Sequence, residues 1–583
     1  MKYKWAIVLL LISLVAQQCA RQTAPTGGPQ DETSPILLRS LPTHEQTQVS
    51  KNELELIFDE FVQLNNPRDQ IIITPSVGNK FEAIAKKNKV IVKLNSALAP
   101  NTTYSINFRE SIQDLTEKNP ATVKIAFSTG TYIDSLAITG RVVDILTNKD
   151  ASNYTVALAP ASDTFNIFKH SASWITLTNK QGRFSLENLK QGNYFLYAFD
   201  DRNKNLIVDS KSEKYAFRSD TLALTSNQDS IRLYSYKLDV STLKLVSSRP
   251  TFSYFNIKLS KSITNYSLTE EKDSIPLYSM LDSDLSSIKI FNSIGLFDSL
   301  QVRLQATDSI ESKIDTLLYL KFSQKKEITK DKLSTKTEMC NVYEDNSMFT
   351  AILSFSKPMT YFNPDSIYIQ VDSLTRTNFT KENFTWNNSQ TKLTISKRLE
   401  VKSKELNSEE KHAKPIDPKV KAKSLDKKGL PLDDIKSLNN PTSEPKTPKS
   451  INQLILAKGS ILSVENDSIA KQVISIKSIK PQDTGIIITK VGASENFILQ
   501  LLSKNLQVVD EVKNIKEHRF ANLTPGGYEI RLLMDLNKNG KWDPGDYVKM
   551  IEPEPIVFYK NSKNIKDINL KANWEVGPLL ITY

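Results

Sequence analysis

The feature that most constrains this chain is the recurrence of short period-two runs, in which apolar or aromatic residues alternate with polar ones. Leu54-Glu55-Leu56-Ile57-Phe58, Val90-Ile91-Val92-Lys93-Leu94 and Tyr104-Ser105-Ile106-Asn107-Phe108 show the pattern, and Asn, Asp, Ser, Pro or Gly interrupt it. Such alternation sends successive side chains to opposite faces of a strand, so each run buries its apolar face only by joining a sheet that stacks on another. The 583 residues exceed what one core serves. The expected class is all-β, with tandem sandwiches in an elongated modular chain.

Composition narrows the chemistry. The 17 glycines form no phosphate-cradling G-x-x-x-x-G-K-[ST] or G-x-G-x-x-G loop. The four histidines, His44, His170, His412 and His518, lie in separate regions, so neither an H-E-x-x-H zinc site nor a local Ser/His/Asp group is in view. No catalytic residue is assigned and no enzyme is expected. Net charge is +11, but the lysines are interleaved with acids and form no stripe, which argues against nucleic acid as a partner.

Lys2 and Lys4 precede an apolar run from Trp5 to Ala16, twelve residues long and too short for a permanent span. Ala16-Gln17-Gln18-Cys19-Ala20 follows, then the polar Pro25-Thr26-Gly27-Gly28-Pro29 stretch. This order resembles a bacterial lipoprotein precursor. The resemblance implies a signal peptide over 1–18, a lipidated tether over 19–32, and Cys19 as the acylated residue holding the chain to the outer membrane. Gln18 stands where the lipobox has Gly, Ala or Ser, and Ala16 where Leu is commonest, so cleavage without acylation stays the alternative. Cys340 is the other cysteine, and with Cys19 acylated it has no disulfide partner. Family members bound for the cell surface carry acids just after the lipidated cysteine. Ala20-Arg21-Gln22-Thr23-Ala24 has none, which favours the periplasmic face.

Leu56-Ile57-Phe58-Asp59-Glu60, Leu98-Ala99-Pro100-Asn101-Thr102-Thr103-Tyr104 and the closing Phe127-Ser128-Thr129-Gly130 resemble the bacterial Ig-like domain of S-layer and Bacteroidetes envelope proteins, over residues 33–132. Further along, an internal repeat appears. Asn188-Leu189, Gly192, Tyr194, Asp201, Asn203, Asn205 and Asp209 recur as Asn522-Leu523, Gly526, Tyr528, Asp535, Asn537, Asn539 and Asp543, at a constant offset of 334 without a gap. Two copies of one β module are expected, at 136–240 and 485–583, with Leu189 and Tyr194 pointing inward around a turn carrying Gly192. Phe184-Ser185-Leu186-Glu187-Asn188-Leu189 through Tyr194 resembles carboxypeptidase-regulatory, collagen-adhesin B-type or transthyretin-like sandwiches, which implies a rigid spacer. Between the copies, a β-sandwich over 250–335 and a second Ig-like domain over 340–484 are expected. The latter holds a Lys/Pro-rich flexible insertion at 402–450, with too few apolar groups to offset chain entropy.

One loop invites a metal. Asp535-Leu536-Asn537-Lys538-Asn539-Gly540-Lys541-Trp542-Asp543-Pro544-Gly545-Asp546 places Asp535, Asn537, Asn539, Asp543 and Asp546 at positions 1, 3, 5, 9 and 12, with glycine at 6. That is close to a calcium loop, whose spacing folds alternate side chains around one hard cation. Position 12 carries Asp instead of Glu, and strands flank the loop. The alternative is an Asx-turn hairpin whose side chains bond their own backbone. The first copy, Asp201 to Asp209, lacks the glycine and fits calcium less well.

The functional expectation is a non-enzymatic, lipid-anchored envelope protein acting as a structural or protein-interaction scaffold, with the membrane and an envelope protein as partners. The alternative is an accessory subunit of an outer-membrane transport, secretion or assembly complex. It would bind glycan or protein through exposed aromatics such as Trp174, Trp386 or Trp542.

Overall fold

A computed structural model describes residues 31–77, 80–162, 164–251, 253–270, 277–293, 299–322, 331–372, 375–399 and 452–583. Cys19 and the 402–450 segment lie outside the described residues. The described chain is all-β, interrupted by the four-residue helix Pro67–Gln70 and three short 3-10 turns. No helix among the described residues is long and apolar enough to cross a membrane. The chain forms two compact units, one reaching Val240 and including Gly545–Pro553, the other comprising Ser241–Pro544 and Glu554–Tyr583.

The first unit begins with an antiparallel sheet ordered Leu37–Leu41, Glu53–Phe58, Lys89–Leu94, Phe81–Lys86. A three-stranded sheet of Ile72–Thr74, Thr103–Asn107 and Lys124–Ser128 belongs to the same domain. The alternation works as expected: in Glu53–Phe58, Leu54, Leu56 and Phe58 are buried while the residues between them are not. They share a core with Val90, Val92, Ile106, Phe108 and Phe127, where each fully buried side chain of this kind contributes roughly 1.5–3 kcal/mol.

The module that follows pairs Arg183–Leu189, Leu136–Asp144 and Gln228–Ser235 in one sheet. In a second sheet, Trp174–Leu177, Thr155–Pro160 and Gly192–Phe199 lie side by side, and both Tyr215–Phe217 and Leu222–Leu224 pair with Gly192–Phe199. The first and last strands of the module, Leu136–Asp144 and Gln228–Ser235, run parallel. Leu189 and Tyr194 are buried, as the pattern requires. Asn188, inside Arg183–Leu189 and just before the turn, is left-handed at φ 58°; asparagine tolerates that conformation better than most residues.

In the second unit, Leu245–Thr251, Tyr254–Leu259, Ser287–Phe291 and Ser279–Leu281 form one sheet, and Asn265–Glu270, Leu300–Thr307 and Lys313–Leu320 another. Phe255, Ile257, Ile288, Val302, Leu304 and Leu320 fill the core of this sandwich. The next sandwich sets Phe384–Trp386, Lys392–Arg398, Met348–Phe355, Thr335–Tyr343 and Lys477–Ile479 in one sheet, and Arg376–Asn378, Ile367–Gln370, Gln453–Leu456 and Gln472–Ser475 in another. Leu393 and Ile395 share its core with Leu454 and Leu456, so strands on both sides of residues 400–451 serve one core. Cys340 sits inside a strand of this sandwich, and burial pushes its thiol up to about 11. Lys357, also buried here, is neutralised by Glu465 and by Asp467 at 3.0 Å.

The last module repeats the topology of the first. Glu517–Leu523, Gly485–Gly492 and Glu575–Thr582 form the three-stranded sheet, with Gly485–Gly492 parallel to Glu575–Thr582. Val508–Lys513, Asn496–Ser503, Gly526–Asp535, Ile556–Phe558 and Ile568–Leu570 form the other. Even the corner is repeated. Asn522 has φ 57°, and the Tyr528 hydroxyl donates to the Thr524 carbonyl at 2.6 Å, as Tyr194 donates to Lys190 at 2.8 Å.

Candidate functional site

Both repeated modules carry their Asp-Asn loop directly after a core strand, Gly192–Phe199 in the first and Gly526–Asp535 in the second. In the second copy the Asp535 carboxylate accepts the Asn539 N–H at 2.9 Å and the Gly540 N–H at 3.0 Å. Asn537 Oδ1 accepts the Asn539 N–H at 3.1 Å, and Asn539 Oδ1 accepts the Lys541 N–H at 3.0 Å. The side-chain amides of Asn537 and Asn539 donate to Asp543 Oδ2 at 2.5 and 2.6 Å. Asp535, Asn537, Asn539 and Asp543 are therefore brought together in one loop.

Asp546 is not. It lies in the Gly545–Pro553 segment of the first unit, where its Oδ1 accepts the Val548 N–H at 2.9 Å and its Oδ2 pairs with Lys549 at 3.2 Å. Its carboxylate caps its own turn, which removes it from the expected twelfth position. The bonds of the second loop are those of an Asx-turn, with side-chain oxygens turned onto nearby N–H groups. Among the described residues, no group of three or more His, Cys, Asp or Glu is placed to hold a metal ion.

The first loop is built the same way. Asp201 accepts the N–H groups of Asn205 at 3.1 Å and Leu206 at 3.2 Å, Asn203 accepts Asn205 at 3.0 Å, and Asn205 accepts Ile207 at 2.8 Å. Burial pushes the Asp201 carboxyl above its ordinary range. Each loop has two left-handed positions, Lys538 at φ 62° and Gly540 at φ 81° in the second and Lys204 at φ 57° and Leu206 at φ 59° in the first.

A residue missing from the sequence reading completes both loops. Glu554 Oε1 accepts the Leu536 N–H at 2.7 Å, and its Oε2 accepts the Asp543 N–H at 2.8 Å. Glu213 does the same for Arg202 at 3.1 Å and Asp209 at 2.9 Å. Each carboxylate is buried and ties the start of its loop to the end. The signal that could have revealed them is an acid just before the strand after the loop, Glu213 before Tyr215–Phe217 and Glu554 before Ile556–Phe558.

The expected aromatic platforms are not exposed. Trp174 is half-buried, its ring edge-on to Tyr194 at 5.6 Å. Trp386 is half-buried between Phe355 at 5.6 Å and Phe362 at 5.9 Å. Trp542 is half-buried as well, and its indole N–H donates to the Glu554 carbonyl at 2.7 Å. Trp174 and Trp386 serve packing, because a ring of that size in a small sandwich gains more from burial than from standing free.

No curated protein matches the chain. Among solved structures, the chain is similar at 8% identity to the Bacillus anthracis TIE protein, covering 96% of this chain and 76% of that one at a TM-score of 0.12. It is similar at 8% identity to the major pilin subunit of Bacillus cereus, with 77% and 99% covered at 0.12. With domains 1–6 of the surface layer protein SbsC it shares 10% identity over 92% and 67%, at 0.13. At such scores these likenesses carry no argument about this chain. Residues 31–129 match the family described as the bacterial Ig-like domain.

Proposed function

We propose that this chain is a lipid-anchored, non-enzymatic component of a bacterial cell envelope, serving as a structural or protein-interaction scaffold. The observation that carries the reading is the order of the N-terminal residues. A short apolar run ends at Ala16, three residues before Cys19, a polar Pro/Gly stretch follows, and an Ig-like domain starts directly after it. Acylation at Cys19 would hold the following sandwiches at the outer membrane, on its periplasmic face, where they meet an envelope protein partner. The core-filled sandwiches suit this role, since their aromatic and aliphatic side chains are spent on packing.

The test is membrane fractionation of wild type against Cys19→Ser. Wild type sediments with the outer membrane and labels with palmitate, whereas the variant is released. Unchanged fractionation of the variant overturns the anchor. The second reading, an accessory subunit that binds glycan or protein, is favoured by one cleft in the first unit.

A further inference from the structure

A cleft of about 840 Å³ opens in the first unit between the Ig-like domain and the first repeated module. Its walls are fixed to each other. The Thr74 hydroxyl donates to the Ile175 carbonyl at 3.2 Å, the Ser76 N–H donates to the Ser173 carbonyl at 2.5 Å, and Lys204 pairs with Asp69 at 2.5 Å. A cleft walled by two bonded domains keeps its shape before a ligand arrives, which lowers the ordering cost of binding.

Part of its polar lining is not self-satisfied: Asp200 pairs with Arg202, and Asp69 with Lys204, but other groups are left over. Arg109 is half-buried in the cleft wall, and among the described residues its guanidinium makes no ion pair or hydrogen bond. Its backbone is held in the left-handed region at φ 48°, where its N–H donates to Asn107 Oδ1 at 3.0 Å. Burial lowers the pKa of the group, and the neighbouring Glu110 carboxylate offsets only part of that loss. Arg68 lines the same cleft and is likewise unpaired among the described residues. Gln70 presents a buried Oε1 with no partner among the described residues, and the exposed Asn153 lies at the cleft's lining with its side-chain amide. A half-buried charge and a buried acceptor without partners are costly, and a ligand that supplies both partners recovers that cost.

We propose that this cleft binds a carboxylate-bearing saccharide, with Arg109 and Arg68 on the carboxylate and Gln70 and Asn153 on the sugar hydroxyls. Planar guanidinium groups match a carboxylate in a two-pronged geometry. Amide side chains both donate and accept, as hydroxyls do. Asp200, paired with Arg202, and Asp201, which accepts N–H groups of its own loop, also line the cleft, and their charge disfavours a multiply charged phosphate. An extended peptide adding to the edge strand Trp174–Leu177 is disfavoured, because the Ser173 and Ile175 carbonyls are already engaged by the Ig-like domain.

The proposal is independent of the anchor, since the cleft is complete without Cys19, and the two fail separately. Calorimetric titration of the full chain with trigalacturonic acid tests it, with maltotriose as the uncharged probe and tetra-aspartate as the acidic peptide. Trigalacturonate is expected to bind in preference to both, and Arg109→Met to weaken it at least about tenfold while thermal unfolding is unchanged. Should Arg109→Met fail to fold, Gln70→Leu reads the same site and should weaken binding by a smaller factor. Equal affinity for maltotriose or tetra-aspartate, no binding of trigalacturonate, or unchanged binding by folded variants would overturn it.

Discussion

The two copies of the repeated module agree in strand order, in the parallel pairing of first and last strands, and in the tyrosine that closes the corner. They differ after the Asp-Asn loop. Glu213 follows Asp209 by four positions and Glu554 follows Asp543 by eleven, so the second copy carries seven more residues between the same two roles. Those extra residues fall in Gly545–Pro553, a segment of the first unit. There Tyr547 packs edge-on against Phe168 at 5.1 Å and Phe217 at 5.2 Å, and its hydroxyl accepts the Ile167 N–H at 3.3 Å. Ser219 donates its N–H and hydroxyl to Glu552 at 2.8 and 3.0 Å. The difference teaches that the loop's closing carboxylate is the fixed element, and that the chain between Asp and Glu is free to lengthen and take on other contacts.

The comparison can be broken at its shared element first. Glu213→Ala strands two N–H groups and Glu554→Ala three, and each should destabilise its unit by about 1–3 kcal/mol in denaturant melts. Similar losses at both positions sharpen the equivalence, and an undisturbed melt for either one breaks it.

Next comes the element present in one copy alone. Tyr547→Ala removes two edge-to-face ring pairs and should cost the first unit about 1–2 kcal/mol. Hydrogen exchange at Ile167 should quicken with it, because that N–H loses its acceptor. Exchange that stays slow at Ile167 would leave the extra residues without a structural role.

A smaller effect separates the loops themselves. Gly540 holds its φ of 81° with open space where a Cβ would go, so Gly540→Ala should cost about 1 kcal/mol through backbone strain alone. Leu206 already bears that strain, and Leu206→Asn should return about 0.5 kcal/mol in the first copy. Losing stability at both positions would show that the two loops are held by different means.

The smallest expected effect concerns calcium. The oxygens of Asp535, Asn537 and Asn539 already accept backbone N–H groups, so a chelator should leave the unfolding of both modules where it was. A midpoint that climbs with added calcium, as mass action requires of a bound ion, would restore the loop as a ligand site.

Much of the fold was legible because period two is a direct consequence of strand geometry. Leu54, Leu56 and Phe58 are buried in sequence order, and the alternation in Lys89–Leu94 is equally plain. The loops were legible as far as Asp543, because a gapless offset aligns residues only while the spacing holds. The seven extra residues break that register and carry Glu554 out of line with Glu213, so the offset does not reveal it. The surroundings of the tryptophans are illegible for another reason. Trp386 finds Phe355 and Phe362 across strands far apart in sequence, and no local pattern announces such a contact. The cleft lined by Arg109 was hidden in the same way, since its walls come from different domains.

The parallel pairing of Leu136–Asp144 with Gln228–Ser235, and of Gly485–Gly492 with Glu575–Thr582, has a mechanical consequence. A tug on the two ends of either module drags its first and last strands past each other lengthwise. Every rung between them is then strained at once, whereas a hairpin pulled open gives way one rung at a time. A tensile link built on this plan yields late and all together.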